Sequence, residues 1–137
     1  MDRKEFLALV GTSIGAIALT NCLQSCQKQI VGITAPVVDF TLDLGAPANH
    51  VLTINGGYLY NQGVIIAKTM AGAYIAVSQA CTHQGVSVTY NSSLNYFFCS
   101  AHSSSFLPDG SVTGGPAPSP LKVYACILTG TSLHVKG

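Results

Sequence analysis

The sequence predicts a small antiparallel all-β domain, and three observations carry that expectation. Beyond Pro36 the chain is a succession of short runs rich in β-branched and aromatic residues. Turn-forming residues punctuate those runs, and no segment holds a helical hydrophobic period for longer than a few residues.

Taken in order, Val37 to Leu44 partly alternates apolar with polar side chains, as a half-buried strand does. Further strands are expected at His50 to Ile54, Tyr58 to Tyr60, Val64 to Thr69, Tyr74 to Ser78 and Val86 to Tyr90. The last are Tyr96 to Phe98, Lys122 to Leu128 and Leu133 to Lys136. Asn55-Gly56-Gly57, Asn61-Gln62-Gly63, Ala71-Gly72, Asn91-Ser92-Ser93, Asp109-Gly110 and Thr129-Gly130 separate them. At each, a positive φ is cheap or a short polar side chain closes the turn.

Composition narrows the function. The 137 residues suffice for one domain, and only 8% are charged, with a net charge of +1. A disordered chain normally carries high net charge and few apolar groups, whereas this one is 48% apolar. No basic stripe exists to displace counterions from a nucleic acid, so nucleic acid is not an expected partner. The cysteines number five, so not all of them can pair within one chain.

The amino end reads as an export signal over residues 1–25: a charged head, Asp2-Arg3-Lys4-Glu5, an apolar middle from Phe6 to Leu19, and a small-polar end. The apolar stretch is shorter than the roughly 20 residues a bilayer-spanning helix uses, which favours a cleaved signal over a retained membrane helix. Arg3-Lys4-Glu5-Phe6-Leu7 resembles a twin-arginine signal with Lys in the second basic position, and ordinary Sec export stays open beside it. Leu23-Gln24-Ser25-Cys26 resembles a lipobox, with Cys26 as the lipidated residue and Cys22 as the alternative. A lipid on Cys26 implies a mature chain tethered to a membrane on the periplasmic or cell-surface side. Residues 26–36 form a linker, and residues 37–137 the folded domain.

The chemistry sits in two short segments. Cys81-Thr82-His83-Gln84-Gly85 follows one strand and Cys99-Ser100-Ala101-His102 another, so two Cys and two His lie in a C-x-H, C-x-x-H arrangement. Thiolates and imidazoles in that number fit a structural zinc, and equally a cluster with two Cys on one iron and two His on the other.

The flanking residues favour the second. Cys81-Thr82-His83-x-Gly85, Cys99-x-x-His102-x-Ser104-x-Phe106, Asp109-Gly110 and Gly114-Gly115-Pro116-Ala117-Pro118-Ser119-Pro120-Leu121 together resemble the Rieske iron-sulfur family, over residues 37 to 137. The resemblance implies a β-sandwich with a cluster-binding subdomain made of two loops and a proline loop, and one [2Fe-2S] cluster per chain. It implies Cys81 and Cys99 on the inner iron, and His83 and His102 on the outer iron near the surface. Gly115, Pro116 and Pro118 belong to the proline loop, a stiff cover over the cluster.

The departures bear on the redox potential. Many relatives in cytochrome bc complexes join the two loops by a disulfide, at the positions of Val86 and Ala101 here, so this chain lacks that bridge. Ser104 keeps a hydroxyl that in the family donates to a bridging sulfide, while Phe106 stands where a tyrosine donates to a ligand sulfur. One donor kept and one lost places the potential below the high-potential class, in the middle of a range of roughly −150 to +300 mV. Ser103 replaces a usual glycine, so the backbone there is expected to differ.

The remaining candidates have simpler roles. Cys126 reads as a packed thiol, His50 and His134 as surface or strand-end residues, and the tyrosines as packing residues. The expected function is one-electron transfer between membrane or periplasmic redox partners, with no catalytic residues of its own. An accessory subunit of a larger membrane-surface complex is the first alternative and a ferredoxin-type partner of an oxygenase the second. A complete oxygenase needs a mononuclear iron held by two His and a carboxylate, for which only His50 and His134 are left over.

Overall fold

In the computed structural model, residues 34–137 are described. The export signal, both candidate lipidation cysteines and most of the linker lie outside them. Among the described residues ten strands form: β1 Asp39–Asp43, β2 Tyr58–Asn61, β3 Val64–Lys68, β4 Tyr74–Ser78, β5 Thr89–Asn91, β6 Tyr96–Cys99, β7 Ser104–Phe106, β8 Val112–Gly114, β9 Val123–Thr129 and β10 Ser132–Lys136. They make two antiparallel sheets, one in the order β1-β10-β9-β4-β3-β2 and the other β5-β6-β7-β8. The all-β expectation holds, and the larger sheet explains the sandwich.

Strand β9 joins the halves of that sheet through only two rungs to β4, Ala76 with Tyr124 and Val77 with Val123. With so short a seam the sheet folds over itself. Val38, Leu42, Leu133 and Val135 of the β1/β10 half pack on Val64, Ile66 and Ala76 of the other half. The opposite face of β3 and β4 presents Ile65, Ala67 and Val77 to the small sheet, where they meet Val88, Tyr90, Phe97, Phe106, Cys81 and Cys99. Strand β3 is therefore buried on both faces, which accounts for its unbroken Val64-Ile65-Ile66-Ala67 run. Each of its three large side chains contributes about 1.5–3 kcal/mol by leaving water.

One expected strand is absent. His50 to Ile54 belongs to a 3-10 helix, Pro47–Thr53, in which Leu52 is the buried residue. Pro47 sets a helical φ at its start. Two of its carbonyls accept from side chains rather than from a neighbouring strand, His50 O from Thr53 Oγ1 at 2.7 Å and Leu52 O from Tyr74 Oη at 2.9 Å. The Val86 to Tyr90 strand is shorter than expected, since Val86 to Val88 belong to a ligand loop and β5 starts at Thr89. Strands β7 and β8 carry no sequence signal, because Ser-Ser-Phe and Val-Thr-Gly are short and largely polar, with a bulge between Ser105 and Phe106. Among the described residues, no helix is long and apolar enough to cross a membrane.

Candidate metal centre

The small sheet presents two loops at one end. The first leaves β4, is pinned by a bridge between Ala80 and Ser87, and closes on itself through Gly85 N–H to Cys81 O at 2.8 Å and Cys81 N–H to Val86 O at 2.9 Å. The second is the turn between β6 and β7, whose last rung pairs Cys99 with Ser104. Ser103 turns it with φ 59°. That is a left-handed conformation, which a glycine adopts freely and other residues resist.

These loops bring all four expected ligands together. Cys81 and Cys99 are buried within the core between the sheets, at 1% and 2% exposure, while His102 is exposed and His83 half-buried. The imidazole rings of His83 and His102 lie edge to face with centroids 4.8 Å apart. Burial pushes the Cys99 thiol up from its ordinary range; the backbone N–H of Ala101 pulls it down, the neighbouring Cys81 thiol raises it again, and the His102 N–H lowers it. Backbone donors directed at a ligand sulfur stabilise its thiolate.

One buried atom bears on the fit of this donor set to a two-metal cluster. His83 Nδ1 is buried with no hydrogen-bond partner, a state that costs about 1–3 kcal/mol unless something else engages its lone pair. A bound iron would engage it. A thiol pair inside and an imidazole pair outside match a cluster with two irons better than a tetrahedron around one zinc. The residues present fit a [2Fe-2S] cluster.

The proline loop closes the third side. Gly115, φ 81°, enters it against Ser104, and beyond it Pro116 and Pro118 are exposed while Ala117 turns inward onto the core. The Ala117 N–H donates to Ser104 Oγ at 3.2 Å, and Ser104 is fully buried. Because that oxygen is an acceptor here, its own hydrogen would remain available to a sulfur of a bound cluster. Phe106 is fully buried opposite Phe97 and brings no hydroxyl to the site. Thr82 Oγ1 donates to Ser119 O at 2.7 Å, tying the first ligand loop to the proline loop.

Sequence reasoning missed several of these contributors. Thr82, Ala117 and the Ala101 and His102 amides act through backbone contacts that no side-chain pattern announces. Gln84 is another: its Oε1 lies 3.0 Å from His102 Nε2. The residues set aside stay away from the centre. His134 pairs with Asp39 at 2.5 Å across the β1/β10 edge. Cys126 is partly buried on the far side of the larger sheet, less enclosed than a fully packed thiol, and no described residue pairs with it as a disulfide.

Comparison with known proteins agrees with this geometry. A family model described as the Rieske [2Fe-2S] domain matches residues 46–125. The cytochrome b6-f complex iron-sulfur subunit of Chlorobaculum thiosulfatiphilum is 27% identical over 135 residues, 98% of this chain and 75% of that protein. Its counterpart in Chlorobaculum tepidum is 30% identical over 125 residues, 90% of this chain and 68% of that protein. Among solved structures, the plasma membrane Rieske protein of Synechocystis PCC 6803 superposes with a TM-score of 0.55 at 26% identity, covering 70% of this chain and 99% of that one.

Proposed function

The chain belongs to the Rieske [2Fe-2S] domain family, with a [2Fe-2S] cluster as its cofactor, and on that premise we propose that it is an exported, lipid-anchored one-electron carrier. In this reading Cys81 and Cys99 hold one iron and His83 and His102 the other. When bound, the cluster takes up and returns a single electron.

The observation that supports the ligand assignment is the buried His83 Nδ1, which has no hydrogen-bond partner. The chain's own residues bury the thiolate side, expose the imidazole side to a partner, and exclude water from the third side with the proline loop. Residues 81–87, 99–104 and 114–120, which form this tip, contain no Asp, Glu, Lys or Arg. Such a tip suits docking by shape and uncharged hydrogen bonds. The two Chlorobaculum relatives are named as subunits of cytochrome b6-f complexes, which supports a place for this chain in a membrane redox assembly, its donor and acceptor among the neighbouring subunits. The leader and the Leu23-Gln24-Ser25-Cys26 segment support export and a lipid on Cys26, with Cys22 as the second candidate.

Electron paramagnetic resonance of the dithionite-reduced protein tests the assignment. A rhombic Rieske-type signal, lost in Cys99→Ser, is expected; zinc in the purified protein and no signal on reduction would overturn it. The intact mass of the mature chain tests the anchor, which predicts a diacyl or triacyl cysteine at its amino terminus.

A further inference from the structure

The contact between Gln84 and His102 is unexplained by the ligand set alone. It joins residues 18 apart in sequence, one from each ligand loop, and Gln84 is otherwise an exposed side chain with no core to fill. The glutamine also sits beside His83, so the loop that supplies one imidazole reaches across to the other.

We propose that Gln84 is a positioning residue for His102, accepting the ring's outward Nε2–H on its amide oxygen and so holding Nδ1 toward the iron. This rests on the ligand assignment above. An imidazole that binds a metal through one nitrogen carries its hydrogen on the other, and the acceptor of that hydrogen fixes the tautomer and the ring plane. The acceptor also makes the imidazole a stronger donor, which favours the oxidised centre and lowers the potential. The described hydrogen bonds give His83 no such acceptor. The two histidines are therefore unequal: His102 is held and electron-rich, and His83 is the ring free to give its outward N–H to a partner.

The test compares the cluster-loaded full chain with Gln84→Met, which keeps length and loses the acceptor, and Gln84→Glu, which keeps length and offers a charged acceptor. Protein-film voltammetry reads the midpoint potential, and paramagnetic resonance of the reduced state reads the cluster. Expected is a potential above wild type in Gln84→Met and at or below wild type in Gln84→Glu, with the rhombic signal present in both. Loss of the cluster from Gln84→Met with retention in Gln84→Glu supports the proposal equally. Potentials unchanged in both, shifted upward in both, or a cluster lost from both overturn it, because the acceptor is then not what matters. A wild-type chain without the Rieske signal overturns the ligand assignment itself, which separates the two failures.

Discussion

Gly115 rests directly on the backbone of Ser104: a Cβ added to it would stand 2.4 Å from Ser104 Cα and 2.6 Å from Ser104 N. No real contact is that short, and neither partner is a flexible side-chain end, so the proline loop and the second ligand loop pack backbone on backbone. With φ 81° the position is also one that L side chains resist.

Gly115→Ala is accordingly expected to push the proline loop off the site. The left-handed conformation and the overlap together cost at least about 2 kcal/mol. Thermal denaturation would show the lowered stability, and iron release to a chelator at a fixed temperature would accelerate. A variant with wild-type iron retention would show that the loop does not cover the cluster.

Ser103 holds φ 59° in the turn between β6 and β7. Ser103→Gly removes a Cβ from the left-handed region, a gain of about 1 kcal/mol less the added freedom of the unfolded chain. Chemical denaturation of the two proteins should place Ser103→Gly at the higher midpoint.

The Thr82 hydroxyl bonded to Ser119 O is the side-chain tie between the first ligand loop and the proline loop. Thr82→Val keeps the shape and removes the donor, costing about 0.5–1.5 kcal/mol. The loss is local, so iron release should quicken more than global stability falls, and amide exchange should rise in residues 115–120 rather than in β3 or β4.

The Cys126 thiol on β9 is pushed up to about 11 from 9.0 by burial. A raised folded-state value means that the folded chain holds this proton where the unfolded chain has lost it. The contribution to stability is complete below about pH 9 and is lost as pH rises through about 11. Burial also raises Tyr60, Tyr90 and Tyr124, which adds a decline of the same sign in the same alkaline direction. Urea denaturation from pH 8 upward (on the order of one unit per step) should therefore show a shallower alkaline loss in Cys126→Ala than in wild type.

The uncharged tip makes a kinetic prediction. Steering between charged surfaces changes association rates by about 10–10³-fold, and salt removes it. Electron exchange with a partner through His83 and His102 should vary by less than about threefold between low and high ionic strength. Stopped-flow mixing of reduced protein with its acceptor measures this directly.

The sequence by itself determined the elements whose signal is local. Alternation, turn residues and apolar runs located β1 to β6 and β9 and β10 to within a few residues, because each strand buries a face of its own. The spacing of Cys81, His83, Cys99 and His102 together with the proline loop was enough to recognise the family. Three kinds of feature waited for the tertiary structure. The expected His50 to Ile54 strand is instead part of a 3-10 helix, which Pro47 starts with its fixed φ and in which the Tyr74 hydroxyl takes the Leu52 carbonyl. Strands β7 and β8 exist only because β6 and the bulge at Ser105 supply a partner for polar residues with little strand preference. The hydrogen bonds that finish the site, from Ala117 to Ser104, Thr82 to Ser119 and between Gln84 and His102, join residues 13, 37 and 18 positions apart. Ligand type is a property of a residue and can be read in order along the chain. The partner that holds a ligand in place is a property of two loops meeting, and only the folded sheet decides which loops meet.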